Sequence, residues 1–149
     1  MKTSIMAIAL LLFSEAALCS SWTIISADRQ SAWFIDPTTI SDEGQDIKGF
    51  WVATVNVDKA VPFDTAVIYE QVKCHKRQIR DLQHSFYLRG EPKGSRAVTS
   101  PWEHVIPETI SEGLLLFACQ KYDSKDFTYP NTPAMNLWKV VQPVLRRLK

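Results

Sequence analysis

What this chain lacks narrows the field before anything it contains. Its 149 residues include only three cysteines, five glycines and three methionines, and the formal net charge is +1. Near-neutrality argues against a dedicated nucleic-acid binder, which is normally strongly basic. No internal repeat and no low-complexity tract is present, which excludes solenoids and repeat arrays. The longest apolar run, Ile5 to Phe13, is too short to cross a bilayer as a helix. The length suits one small domain rather than two.

Chemistry-bearing patterns are equally scarce. His75, His84 and His104 lack the spacing of a metal site, so no metal is expected. There is no glycine-rich phosphate loop and no Gly-x-Ser-x-Gly elbow. Asp42 and Glu43 lie in a polar stretch where solvation is their obvious role. The expectation is a non-enzyme without cofactor. Reviving catalysis would take a cleft joining His84 or His104 to a carboxylate.

What is present begins with an export signal. Lys2 gives a positive start, Ile5 to Phe13 an apolar centre, and Ala16-Ala17-Leu18-Cys19-Ser20 a small-residue stretch. Residues 1–19 are read as a cleaved signal peptide, with Ser20 nearly as good a cleavage position. Leu18 stands where a lipoprotein signal wants a small residue, which argues against a lipid anchor on Cys19. The expected location is therefore the periplasm or the cell surface. Cleavage beyond Cys19 leaves Cys74 and Cys119, and an oxidising compartment allows them one intramolecular pairing.

Along the mature chain, Trp22 to Ala27 and Ser31 to Asp36 read as a hairpin, with Asp28-Arg29-Gln30 as its turn. Pro37 to Ile40 turns the chain, and Ser41 to Gln45 reads as a polar loop. Ile47 to Asp58 is the longest strand pattern, and its alternation sends Trp51, Ala53, Val55 and Val57 to the core. Ala66 to Cys74 and Ile79 to Leu88 follow as paired strands, although Glu70 spoils the Cys74 face. Residues 89–100 read as a mobile loop and Trp102 to Ile106 as a short edge strand.

Thr109-Ile110-Ser111-Glu112 matches a capping box ahead of a helical stripe through Leu114, Phe117 and Ala118, with Gly113 its weak point. Residues 123–132 read as a linker. Residues 133–149 form a terminal amphipathic helix that Pro143 should kink or end near Gln142. The fold class is α+β: five or six antiparallel strands packed against one helix, plus the C-terminal helix.

Two sets of residues suggest binding. Lys73, His75, Lys76, Arg77 and Arg80 form the densest basic run and could grip an acidic polysaccharide or a protein ligand. The plain alternative is a solvated hairpin end whose charges discourage edge pairing. Trp102 and Trp138 could anchor an interface, whereas Trp22, Trp33 and Trp51 read as core or sheet residues. The terminal helix could dock on its own domain, meet a dimer partner or lie on a membrane surface.

An ordered set of residues resembles the surface-adhesin protein E-like family of small exported bacterial domains. It comprises Phe34 to Ile40 (FIDPTTI), Trp51, a strand ending at Cys74, Arg80 and Ser85-Phe86-Tyr87. Trp102, Ile106-Pro107-Glu108-Thr109 and Ala118-Cys119 complete it. The resemblance spans residues 22–122. It implies an antiparallel sheet packed on a helix, a strand-to-helix disulfide, no enzymatic activity and, as in the founding adhesin, binding of host matrix proteins and glycosaminoglycans. Two features depart from the pattern: the missing lipidation site and the tail from residue 123.

The functional expectation is thus a non-catalytic, adhesin-like binding module. The alternative is a periplasmic structural or assembly factor that meets an envelope partner through its sheet edge or C-terminal helix.

Overall fold

A computed structural model describes residues 20–57, 61–120, 128–129, 132–145 and 147. The expected signal peptide and most of the expected linker lie outside the described residues. The strands are β1 (Trp22–Ala27), β2 (Ser31–Ile35), β3 (Ser41–Gly44), β4 (Ile47–Asn56), β5 (Thr65–Lys73), β6 (Gln78–Leu88), β7 (Glu91–Ala97), β8 (Glu103–His104) and β9 (Thr128–Tyr129). The helices are α1 (Ile110–Gln120) and α2 (Leu137–Leu145).

All strand pairings are antiparallel, in the order β7-β6-β5-β4-β2-β1-β9, with β3 on β4 and β8 on β6. The expected five or six strands are therefore corrected to nine among the described residues. The additional three were missed for physical reasons. β3 and β7 are exposed along their whole length, so neither carries an apolar face, and β9 is only two residues long. The expected loop at 89–100 is largely β7.

The second correction concerns layers. The sheet is covered on both faces, not one. On one face Ile35, Phe50, Val52 and Val72 pack with Leu114, Leu115, Phe117 and Ala118 of α1. On the other, Trp22, Phe34, Ala53 and Val55 pack with Leu137, Val141 and Leu145 of α2. β4 serves both layers, so Phe50 and Val52 are as completely buried as Ala53 and Val55. The alternation read from its sequence is real but selects between two cores. A sheet buried on both faces reads as a near-continuous apolar run.

α1 starts where expected. The Glu112 N–H donates to Thr109 Oγ1 (3.4 Å), while the Glu112 carboxylate accepts from the N–H of Glu108 (2.8 Å) rather than that of Thr109. Gly113 has a packing reason: a Cβ there would meet Ile25 Cγ2 at 2.8 Å, so glycine lets α1 settle onto β1. The far end of α1 is fixed by the Cys74–Cys119 disulfide, with Cα atoms 5.7 Å apart.

α2 follows a short 3-10 turn (Ala134–Asn136) that has no side-chain cap. It continues through Pro143 to Leu145, so of the kink or end expected near Gln142 the end does not occur. The missing proline N–H orphans the carbonyl of Lys139, an exposed residue where water can satisfy it. Leu137, Val141 and Leu145, spaced by four, form its buried stripe. Among the described residues, no helix is long and apolar enough to cross a membrane.

Candidate functional site

The basic run occupies the β5–β6 hairpin end, where Arg77 takes a left-handed conformation (φ 49°) to close the turn. Two of its members are paired locally. The His75 N–H donates to Asp46 Oδ2 (2.7 Å) and His75 Nδ1 lies 2.6 Å from Asp46 Oδ1. The backbone N–H of His75, with its ring beside it, holds the Asp46 carboxyl below the usual carboxylate range. The Arg77 guanidinium pairs with Glu112 at the start of α1. The Glu112 carboxyl is likewise lowered, first by the Glu108 N–H and then by Arg77.

Lys73 and Arg80 converge on Trp102 instead. Lys73 Nζ lies 4.0 Å from the ring centroid and Arg80 Cζ 4.4 Å. Cations over an indole face are drawn to its negative π-surface. Lys76 is exposed at the tip and meets no ion-pair partner among the described residues. The structure thus brings Lys73, Arg80 and Trp102 together and turns His75 and Arg77 toward acidic neighbours. Trp138, the other expected anchor, is half-buried on α2 and packs against the core on that face.

Strand register explains the Trp102 cluster. Gln71 opposes Arg80, and Lys73 opposes Gln78, so these side chains share the face that α2 covers further along. Arg80 Nε donates to Gln71 Oε1 (2.7 Å). Gln71 Nε2 and the Tyr69 hydroxyl both donate to Glu43, which reaches in from β3. Gly49 permits this: a Cβ at that position would collide with the Glu43 carboxylate and the Tyr69 hydroxyl.

The opposite face hides a more costly group. Glu70, the anomaly of its strand, is 5% exposed, and its Oε2 has no hydrogen-bond partner among the described residues. Burial, with the Asp81 charge second, pushes its carboxyl up to about 8. Asp81 opposes Glu70 across the ladder and lies 2.9 Å from His84 Nε2. This is the His84–carboxylate pairing that catalysis would require, but neither groove described below is lined by it. Among the described residues, no cluster of His, Cys, Asp or Glu could hold a metal ion.

Sequence reasoning missed a groove of about 480 Å³ on the α2 face. β4, β5 and β6 supply Trp51, Val67, Gln83, Ser85 and Tyr87; β1 supplies Trp22; and the turn after β2 adds Asp36, Thr38 and Thr39. These residues come from separate segments, so no local spacing could reveal them. The one hint was the run Asp36 to Thr39, which is too polar to end a core strand. A second, smaller groove of about 310 Å³ is lined by Pro62, Phe63, Phe86 and Lys93, with Arg96 over the Phe86 ring.

The β7 edge is poorly suited to accept another strand. It carries Pro92, Lys93 and Arg96, is wholly exposed, and pairs with β6 through a register shift at Phe86/Tyr87. On α2, Val140 and Val144 are 42% and 49% exposed, a short apolar pair on the outer side.

Comparison with known proteins gives one family. The model for surface-adhesin protein E matches residues 22–120. No curated protein matches the chain. Among solved structures, crystal form II of Haemophilus influenzae protein E is similar at 16% identity, covering 62% of this chain and 83% of that one, with a TM-score of 0.46. The crystal structure of protein E from non-typeable Haemophilus influenzae is similar at 16% identity, covering 67% of this chain and 77% of that one, with a TM-score of 0.44.

Proposed function

The chain belongs to the surface-adhesin protein E family, and from that premise we propose that it is an exported, non-catalytic binding module that contacts acidic polymers or proteins through its hairpin end. One observation carries the reading: Lys73 and Arg80 both stand over the ring of Trp102, at the end of a hairpin tied by Cys74 to α1. A preorganised aromatic that two cations approach offers an amphipathic surface at little ordering cost. Lys76 extends its positive field outward, while His75 and Arg77 serve the hairpin's own geometry.

Immobilised heparin is the direct test. Wild-type protein should bind it with an affinity that falls steeply as salt rises. Replacing Lys73, Lys76 and Arg80 together by alanine should abolish retention, while near-ultraviolet circular dichroism stays unchanged. Retention that survives those changes would sink the reading. Protease shaving of intact cells tests location separately, since an adhesin must be cleaved from outside.

A second reading draws on the exposed pair Val140 and Val144. A periplasmic assembly factor would use that side of α2 against an envelope partner, and would resist shaving until the outer membrane is opened.

A further inference from the structure

The geometry points to a second binding site: the groove on the α2 face is a saccharide site for a neutral sugar unit, separate from the basic hairpin end. Val67, apolar and largely buried, is the residue that β5 contributes to its floor. Val67 opposes Ala53 on one side and Ser85 on the other, so Trp51 and Tyr87 stand diagonally across it on the same face. Two half-buried aromatics over a narrow floor form a slot for a flat, amphipathic ring. The C–H faces of a pyranose are apolar while its rim is hydroxylated, which matches this arrangement. A volume of about 480 Å³ falls in the range typical of small-molecule sites.

The polar lining selects the ligand class. Gln83 and Ser85 stand at one rim, both hydrogen-bonded to Ser95 through Nε2 and Oγ (3.4 and 3.0 Å), which leaves the Gln83 carbonyl oxygen as an acceptor. At the other rim Asp36 is 2% exposed. Its Oδ1 accepts from the N–H (3.0 Å) and hydroxyl (2.6 Å) of Thr38, and its Oδ2 takes no hydrogen bond among the described residues. A carboxylate oxygen at the rim of a groove is a ready acceptor for a hydroxyl.

No lysine, arginine or histidine lines the groove among the described residues, so a sulfated or carboxylated sugar would meet only Asp36 and be repelled. Hydroxyl- and amide-bearing side chains outnumber that single carboxylate, which favours a polyhydroxyl ligand over an organic cation.

Saturation-transfer NMR on the full mature chain, with lactose, maltose and cellobiose as probes, tests the site. At least one should show transfer, and its affinity should be indifferent to salt. Gln83→Leu, at an exposed position that the fold does not depend on, should weaken it about tenfold. Trp51→Ala should abolish it in protein shown to be folded by circular dichroism. The Lys73, Lys76 and Arg80 triple variant should bind the sugar unchanged, which separates this site from the heparin test.

Absence of transfer to all three sugars overturns the proposal. So does transfer undiminished in both groove variants, or stronger transfer to choline or a sulfated heparin disaccharide than to any neutral probe.

Discussion

The two helices bury opposite faces of one sheet, yet they are held in different ways. α1 is pinned at both ends by polar and covalent contacts: Glu112 to Arg77 at its start, and Cys119 to Cys74 at its finish. α2 follows a 3-10 turn without a side-chain cap, contains a proline, and rests on an apolar stripe of Leu137, Val141 and Leu145. On this face the indole N–H groups of Trp22 and of its own Trp138 are buried without a partner among the described residues. Hydrophobic burial is non-directional, whereas ion pairs and disulfides fix register. The α1 face is therefore the rigid reference, and the α2 face, which carries the groove, is the adaptable one. The family match at residues 22–120 takes in α1 and ends before α2.

The largest test removes the pin. Replacing both Cys74 and Cys119 by serine opens a loop closed across 45 positions, which should cost roughly 4 kcal/mol of unfolding free energy. Urea denaturation should show the midpoint falling, and hydrogen exchange should show α1 amides losing protection more than those of β4. Equal loss in α2 would contradict the contrast, because it would mean that both helices depend on the staple.

Next in size comes the acid that the pinned face conceals. Glu70 is raised from 4.5 to about 8, so the folded chain holds a proton there that the unfolded chain releases. Its contribution is fully favourable below pH 4.5 and fades as pH rises toward about 8, by roughly 1.4 kcal/mol per pH unit. Glu70→Gln keeps the neutral form at every pH. The variant should match wild type near pH 4.5 and exceed it by about 3 kcal/mol near pH 7. Asp46 and Glu112 have the opposite sign, being lowered and losing stability only in acid, so the difference between the two curves isolates Glu70. Parallel curves would mean that Glu70 is ionised in the fold.

Legibility in the sequence follows the same division. The capping box, the α1 stripe, both cysteines and the β5–β6 hairpin could be read because each is local or covalent. Glu70 was visible as a flaw in an otherwise apolar face. β7 was not visible, because Glu91–Ala97 is exposed throughout and gives no alternation to detect. The docking of α2 was one option among several, since an apolar stripe does not name the surface it covers. The groove was invisible because register, not spacing, sets Trp51, Ser85 and Tyr87 around Val67. Within the basic run, composition could not tell Lys73 and Arg80, which meet Trp102, from His75 and Arg77, which meet carboxylates.

The smallest effect sharpens the contrast most. Leu137 is fully buried, and truncating such a leucine to alanine ordinarily costs about 2–5 kcal/mol. A helix held by one apolar stripe has a cheaper response than unfolding the whole domain: it undocks. The measured loss for Leu137→Ala should then saturate near the lower end, about 2 kcal/mol, because further weakening only detaches a segment already free. Hydrogen exchange should show α2 amides losing protection while β4, β5 and α1 keep theirs. Leu114→Ala on the opposite face has no such escape, since Cys119 holds its helix in place, and it should cost more and loosen the sheet as well. If Leu137→Ala loosens β4 as much as Leu114→Ala does, the two faces form one cooperative unit and the groove is as rigid as the staple.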